Sequence, residues 1–194
     1  MEQIKGYDIT ETLHQGSKTT IYRAIRLSDG QPVVLKALTN PFPRPLEIAR
    51  LRREFELFQE KNIEGVPVLD ALEKQGSHHF IVMRDAGSVP VQTFLGNKHP
   101  DIGVFLDIAV QLCQVLTRIH ARQIIHKDIK PANILVLPDS GQVQIIDFSL
   151  SALATSGSQE AVAPGTLEGT LPYLSPEQTG RMNRPVDYRS DLYA

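Results

Sequence analysis

The sequence predicts an α+β protein in two parts, a mostly antiparallel β part of about 80 residues and then a part led by a long helix. Three observations carry that reading. Short β-rich runs separated by turn signals fill the first third of the chain. One long amphipathic segment opens the remainder. The composition, 41% hydrophobic and 22% charged over 194 residues, is that of a globular chain long enough for one large domain or two small lobes sharing a cleft. The lobes are expected over residues 1–84 and 85–194, joined near residues 84–90.

In chain order, IYRAIRL (21–27) and QPVVLKAL (31–38) are strands parted by the turn signal SDG (28–30). PRPLEIARLRREFELFQEK (43–61) places Leu51, Phe55 and Phe58 at helical spacing with charged residues between them. VPVLDAL (66–72) and HFIVM (79–83) read as two more strands, split by EKQGSH. DIGVFLDIAVQLCQVLTRIHAR (101–122) carries Ile102, Phe105, Ile108, Ala109, Leu112, Leu116 and Ile119 on one stripe, with Asp101 placed to cap the helix. A strand pair follows, ILVL and QVQIID, joined by PDSG. From Ser149 to Pro164 small and hydroxyl residues predominate without pattern, as in a surface loop.

The bulk properties exclude several functions. A net charge of −2 gives no electrostatic case for nucleic acid or an anionic membrane as partner. No apolar run is expected to reach the roughly 20 residues that span a bilayer. MEQIKGYDIT lacks the basic and then apolar layout of a secretion signal. Cys113 is the single cysteine, so an internal disulfide is impossible. Within IAVQLCQVL it reads as a buried helix-core residue and not a reactive thiol. These bounds point to a cytoplasmic protein.

The chemistry concentrates in IIHKDIKPANIL (124–135), where apolar runs anchor an Asp, a Lys two residues on and an Asn three beyond that. Phosphoryl transfer from ATP needs such parts: a cation on the phosphates, acids to hold Mg²⁺ and a carboxylate to orient the attacking hydroxyl. VVLK (33–36), IIDFS (145–149) and GTLPYLSPE (169–177) complete the set. Each segment alone is a weak signal. Four in the right order, in fitting strand, helix and loop contexts, are a strong one.

On these residues the chain resembles the eukaryotic-type serine/threonine protein kinases over essentially its whole length. HKDIKPAN matches H-R-D-L-x-x-x-N at His126, Asp128 and Asn133, and IIDFS matches D-F-G at Asp147 and Phe148. VVLK matches V-A-I-K, and GTLPYLSPE keeps the Pro-Glu ending of A-P-E. The resemblance implies a bilobal protein-kinase-like fold: an antiparallel β N-lobe with its helix C, and a helical C-lobe stopping before the central helix that Asp191 opens. The tail EQTGRMNRPVDYRSDLYA looks like the kinase module that opens very large bacterial signalling proteins, in which an ATPase module, a GAF sensor and a histidine kinase follow.

Site roles follow from the same resemblance. It implies ATP and Mg²⁺ as cofactors and a protein substrate as partner. Asp128 would accept or steer the proton of the substrate hydroxyl, and Lys130 would neutralise the γ-phosphate, as is typical of Ser/Thr specificity. Asn133 and Asp147 would hold the Mg²⁺ ions. Lys36 would grip the α- and β-phosphates, oriented by Glu54, because Glu56 lies about 160° away around the helix. The adenine would lie between Ile21 and Val34 on one side and Leu135 on the other. Backbone contacts would come from Arg84, Asp85 and Ala86, with Met83 as gatekeeper. Gly16 would let backbone amides approach the phosphates, and Thr170 would support Asp128 and Lys130.

Departures from the family pattern qualify these expectations. HQGSKTTI (14–21) keeps only the middle glycine of the Gly-rich loop, with His14 expected as a solvent-facing loop residue. Lys127 replaces an Arg that clamps a phosphorylated loop, so activity is expected to depend less on the acceptors Thr155, Ser156, Ser158 and Thr166. Ser149 replaces the Gly of D-F-G and is expected to bias Phe148 towards one state. The chain is expected to be incomplete at its C-terminus, poorly stable and little active by itself. The alternative from another class is a pseudokinase, a nucleotide-binding or scaffolding module of a larger sensor. A small-molecule kinase of similar fold is a more distant reading.

Overall fold

Alternation along VVLKAL organises the first layer, because successive strand residues face opposite sides of a sheet. In a computed structural model, which describes residues 4–59, 61–96, 101–154, 169–180, 182 and 184–194, the chain divides into two compact units. The first comprises Met1–Asn62 and Pro67–Ala86; the second comprises Ile63–Val66 and Gly87–Ala194.

The first unit is a five-stranded antiparallel sheet in the order β1-β2-β3-β5-β4. Its strands are β1 (Tyr7–Gln15), β2 (Thr19–Arg26), β3 (Pro32–Leu38), β4 (Leu69–Gln75) and β5 (His78–Arg84), with helix α1 (Pro45–Phe58) between β3 and β4. Val33, Leu35 and Ala37 of β3 join Ile4, Ala24, Phe80 and Val82 in one apolar cluster. The opposite face gives a second cluster, in which Leu38 and Ile81 pack with Leu51 of α1 and with the half-buried Ile48, Phe55, Leu69, Leu72 and Met83. Lys36 belongs to this second face by alternation.

Two strand expectations need correction. β4 and β5 run on to Gln75 and His78, so only Gly76 and Ser77 separate them, and Gly76 takes φ +59° as a two-residue hairpin turn demands. Edge strand β1 was not foreseen, because YDITETLHQ is polar and exposed along most of its length. His14 is therefore an exposed strand residue, paired in register with Ile21, and not part of a loop.

The second unit contains β6 (Val89–Pro90), α2 (Val91–Leu95), α3 (Ile102–His120), β7 (Ile124–Ile125), β8 (Ile134–Val136), β9 (Val143–Ile145), β10 (Ala152–Leu153) and α4 (Arg189–Tyr193). Asp101 caps α3 by accepting the Gly103 amide at 2.8 Å. The helix buries Val115, Leu116 and Ile119, and Ile108 and Leu112 pack against Val91, Ile134, Val136 and Val143. Ile102 and Phe105, expected on the buried stripe, are exposed. Cys113 is exposed as well, contrary to its core reading, because it sits about 100° from Leu112 around the helix and off the buried stripe. By length and composition α3 alone, among the described residues, passes as long and apolar enough to cross a membrane, which corrects the expectation that no run approaches that length.

Residues 63–66 belong to the second unit, which the expected division at 84/85 did not foresee. Gly65 carries φ +87° and a Cβ there would overlap Val115, so only glycine fits. Its carbonyl accepts the Ile145 amide at 2.8 Å, and Glu64 meets Arg118 at 2.9 Å.

Candidate active site

In the first unit the site consists of what β3 and α1 bring together. Lys36 Nζ donates to both carboxylate oxygens of Glu54, at 2.7 and 2.6 Å. Both side chains are only 5% exposed. Their neighbour along α1, Glu56, is exposed. The helix is fixed in rotation by Leu51 and Leu57 on its buried side, and starts at Pro45, where the Glu47 carboxylate accepts the Arg44 amide at 2.8 Å. A buried ion pair rarely adds net stability over apolar packing, so its presence argues for a chemical use of the ammonium.

The other nucleotide-site candidates of this unit lie along the strands. Ile21 is paired with Lys36, and Val34 with Arg23 on one side and Met83 on the other. Gly16 closes the β1–β2 hairpin, donating its amide to Thr19 O at 2.9 Å. That amide is thus committed within the hairpin. The Asp85 carboxylate is held by Arg23 Nε at 2.6 Å, and Arg23 also reaches Glu11. The Asp85 amide donates to Pro32 O at 3.3 Å.

In the second unit the loop between β7 and β8 is held from all sides. Buried Ile125 and Ile129 anchor it, and Leu135 is half-buried just beyond it. The Asp128 carboxylate, largely buried, accepts Lys130 Nζ at 2.7 Å and Asn133 Nδ2 at 3.1 Å on Oδ2. Its Oδ1 accepts the Thr170 hydroxyl at 2.9 Å. Thr170 in turn accepts from Lys130 at 2.8 Å, closing a ring of three side chains. The second amide proton of Asn133 goes to the Asp128 carbonyl at 2.8 Å. With its nitrogen so engaged, Asn133 offers its Oδ1 oxygen to a cation.

The Asn133 carbonyl accepts the Ile146 amide at 3.0 Å, tying the loop to the residue before Asp147. Asn133 and Asp147 supply oxygen donors only, which fits the hard cation Mg²⁺. Among the described residues no group of three or more His, Cys, Asp or Glu forms a metal cage.

Backbone strain gathers in the same unit. Among the described residues the non-glycine positions with positive φ are Gln123, Lys127 and Asp147, at 58°, 69° and 65°. Such conformations persist only where surrounding contacts over-determine them, and they cluster at functional sites. Lys127 shows the compensation: its amide donates to Asp191 Oδ1 at 2.8 Å and its carbonyl accepts Gln178 Nε2 at 2.8 Å. Asp191 Oδ2 also accepts the His126 amide at 2.9 Å and contacts His120 Nε2 at 2.9 Å.

His126 is fully buried and its tautomer can be deduced. Nδ1 accepts the Asp128 amide at 3.2 Å, so the ring proton sits on Nε2, which donates to Ile146 O at 3.0 Å. Burial holds its pKa below the ordinary value, against the opposing pull of Asp191, Asp147 and Asp128. The ring stacks edgewise on Phe148 with centroids 4.7 Å apart.

The family model described as the protein kinase domain matches residues 7–194. The chain belongs to the protein kinase domain family. Its sequence is 31% identical over 192 residues to the DNA damage-responsive serine/threonine-protein kinase RqkA of Deinococcus radiodurans, covering 97% of this chain and 28% of that protein. It is 28% identical over 195 residues to the serine/threonine-protein kinase Pkn1 of Myxococcus xanthus, covering 97% and 27%. Against the serine/threonine-protein kinase PknL of Mycobacterium tuberculosis the identity is 27% over 201 residues, covering 97% and 46%. The chain thus spans between about a quarter and a half of the curated relatives it matches. These relatives favour the kinase reading over the pseudokinase one.

Within this kinase domain, sequence reasoning missed two residues that hold the loop between β7 and β8. Asp191 was read as the start of a helix, but it reaches back 64 and 65 residues to two loop amides. Gln178 was not considered at all. Only the acid in SDLYA could have signalled the first, and nothing local signals the second. Ser149 is not left-handed, so its Cβ brings no backbone strain, and Phe148 beside it is buried. The acceptors Thr155, Ser156, Ser158 and Thr166 lie outside the described residues.

Proposed function

We propose that the chain is the catalytic domain of a serine/threonine protein kinase that transfers the γ-phosphate of ATP to hydroxyls of a protein substrate. The observation that carries this reading is the Asp128 carboxylate, held at once by Lys130, Asn133 and Thr170. Scaffolding alone does not require an acid so exactingly aimed, and phosphoryl transfer does.

In the proposed mechanism Asp128 accepts a hydrogen bond from the substrate hydroxyl and takes its proton as the new O–P bond forms. The bond between the γ-phosphorus and the ADP oxygen breaks, and that oxygen leaves with the electron pair. Lys130 faces the charge that develops on the transferring group. Lys36, kept in place by Glu54, holds the α- and β-phosphates. Mg²⁺ bound by Asn133 and Asp147 would supply charge neutralisation on the phosphates. Ile21, Val34 and Met83 of the first unit would contact the adenine, with Asp85 and its neighbours offering main-chain hydrogen bonds. Gly16 would keep the hairpin close to the phosphates.

We further place the domain in the cytoplasm, within a larger signalling protein carrying ATPase, GAF and histidine kinase modules. The tail EQTGRMNRPVDYRSDLYA supports that context, and the lone Cys113 suits a reducing compartment. The test is a γ-phosphate transfer assay on the full-length protein with MgATP and a protein acceptor. Asp128→Asn should lower kcat by about 10²–10⁴-fold with nucleotide binding kept. Wild-type protein that binds MgATP but phosphorylates neither itself nor an acceptor would defeat the reading.

A further inference from the structure

We propose that Thr39 is a positioning residue for the nucleotide phosphates, acting through the β1–β2 hairpin; this rests on the kinase reading above. The hairpin has kept one glycine where a pliable phosphate loop has several, so something other than backbone freedom must set its position. Thr39 sits immediately after β3, three residues beyond Lys36. Its amide donates to Lys18 O at 2.9 Å, and its hydroxyl donates to Gly16 O at 3.1 Å. The Thr20 and Thr39 hydroxyl oxygens lie 2.9 Å apart.

These contacts have a direction. A hydroxyl carries one proton, and that of Thr39 goes to Gly16 O, so Thr20 donates to Thr39. The result is a relay from Thr20, only 4% exposed, through Thr39 to the carbonyl at the hairpin tip. Successive hydroxyl bonds polarise one another and strengthen the chain. Because Thr39 and Lys36 lie on one rigid strand end, the relay refers the hairpin and the phosphate-gripping ammonium to a common frame. Loss of the Thr39 hydroxyl removes the tie to Gly16 O, while the Thr39 amide still holds Lys18 O and Lys36 and Glu54 stay in place.

The experiment uses the full-length protein and compares Thr39→Val, which keeps the branched shape, with Thr39→Ser, which keeps the hydroxyl. Thr39→Val should raise the KM for ATP about fivefold, the scale of one hydrogen bond, with kcat changed less than about twofold. Thr39→Ser should restore KM. A role in stability alone would lower the melting temperature of Thr39→Val and leave its KM at the wild-type value, and that result overturns the proposal. Amide hydrogen exchange over residues 15–20, without nucleotide, reads the relay separately. Faster exchange in Thr39→Val supports it, and unchanged exchange overturns it even if the wild-type protein proves not to use ATP.

Discussion

The Lys36–Glu54 pair and the Asp128 loop solve the same problem, holding a charged group still, in opposite ways. The first depends on one buried ion pair between a strand and a helix. The second spreads the task over Lys130, Thr170, Asn133, His126, Gln178 and Asp191, with the main-chain kink at Lys127 answered by hydrogen bonds on both its amide and its carbonyl. A lone buried pair adds little net stability when made and is costly when half-made. A network tolerates the loss of a rim member but not of the residue through which its bonds converge. The first arrangement suits a contact that is made and released, the second a template that stays fixed.

The sharpest way to break this comparison is Asp191→Ala. It leaves the His126 and Lys127 amides without their charged acceptor inside the protein. The expected loss is about 4–6 kcal/mol, seen as a fall in Tm of about 10–20 °C. A fall of only a few degrees would mean that the template does not hang on Asp191.

Next in size is Lys36→Met, which takes the ammonium away from the buried Glu54 carboxylate and should cost about 3 kcal/mol. Adding Glu54→Leu should recover most of that stability in denaturant titration without restoring phosphate transfer. If the single and double variants were equally unstable, the pair would be structural after all.

The smallest effect is one of pH. His126 is held neutral by burial, with Asp191, Asp147 and Asp128 around it, and its folded pKa is lowered. The stability it contributes is complete above the unfolded imidazole value of about 6.5 and is lost as pH falls from there through the folded value. Thermal unfolding between about pH 5 and 7 should show Tm declining on the acid side, with a shallower slope in His126→Gln. An identical slope in that variant would assign the titration to another group.

How much of this was legible beforehand depended on whether the signal was local. β2, β3, β5 and α3 announce themselves through period-two or helical spacing of apolar residues, and Glu54 over Glu56 follows from helix geometry. β1 was illegible because an edge strand can be polar throughout. The exposure of Cys113, Ile102 and Phe105 was misjudged because a helix's apolar stripe reveals a preferred side, not which part of it is covered. Asp191 and Gln178 escaped because their partners are more than 50 residues away and are backbone atoms, which leave no mark in the sequence. Asp128, Lys130 and Asn133 could be picked out because they lie within six residues of one another.

The short strip Ile63–Val66 has a practical corollary. The polypeptide visits the second unit, returns to complete the sheet with β4 and β5, and departs again at Gly87. Cutting the gene between Ala86 and Gly87 would therefore not yield two self-sufficient pieces. The downstream piece would lack the carbonyl that receives Ile145 and the glycine that lies flat on Val115. Anyone seeking the template by itself would have to graft those four residues back, as a separate peptide or through a permuted order of the chain.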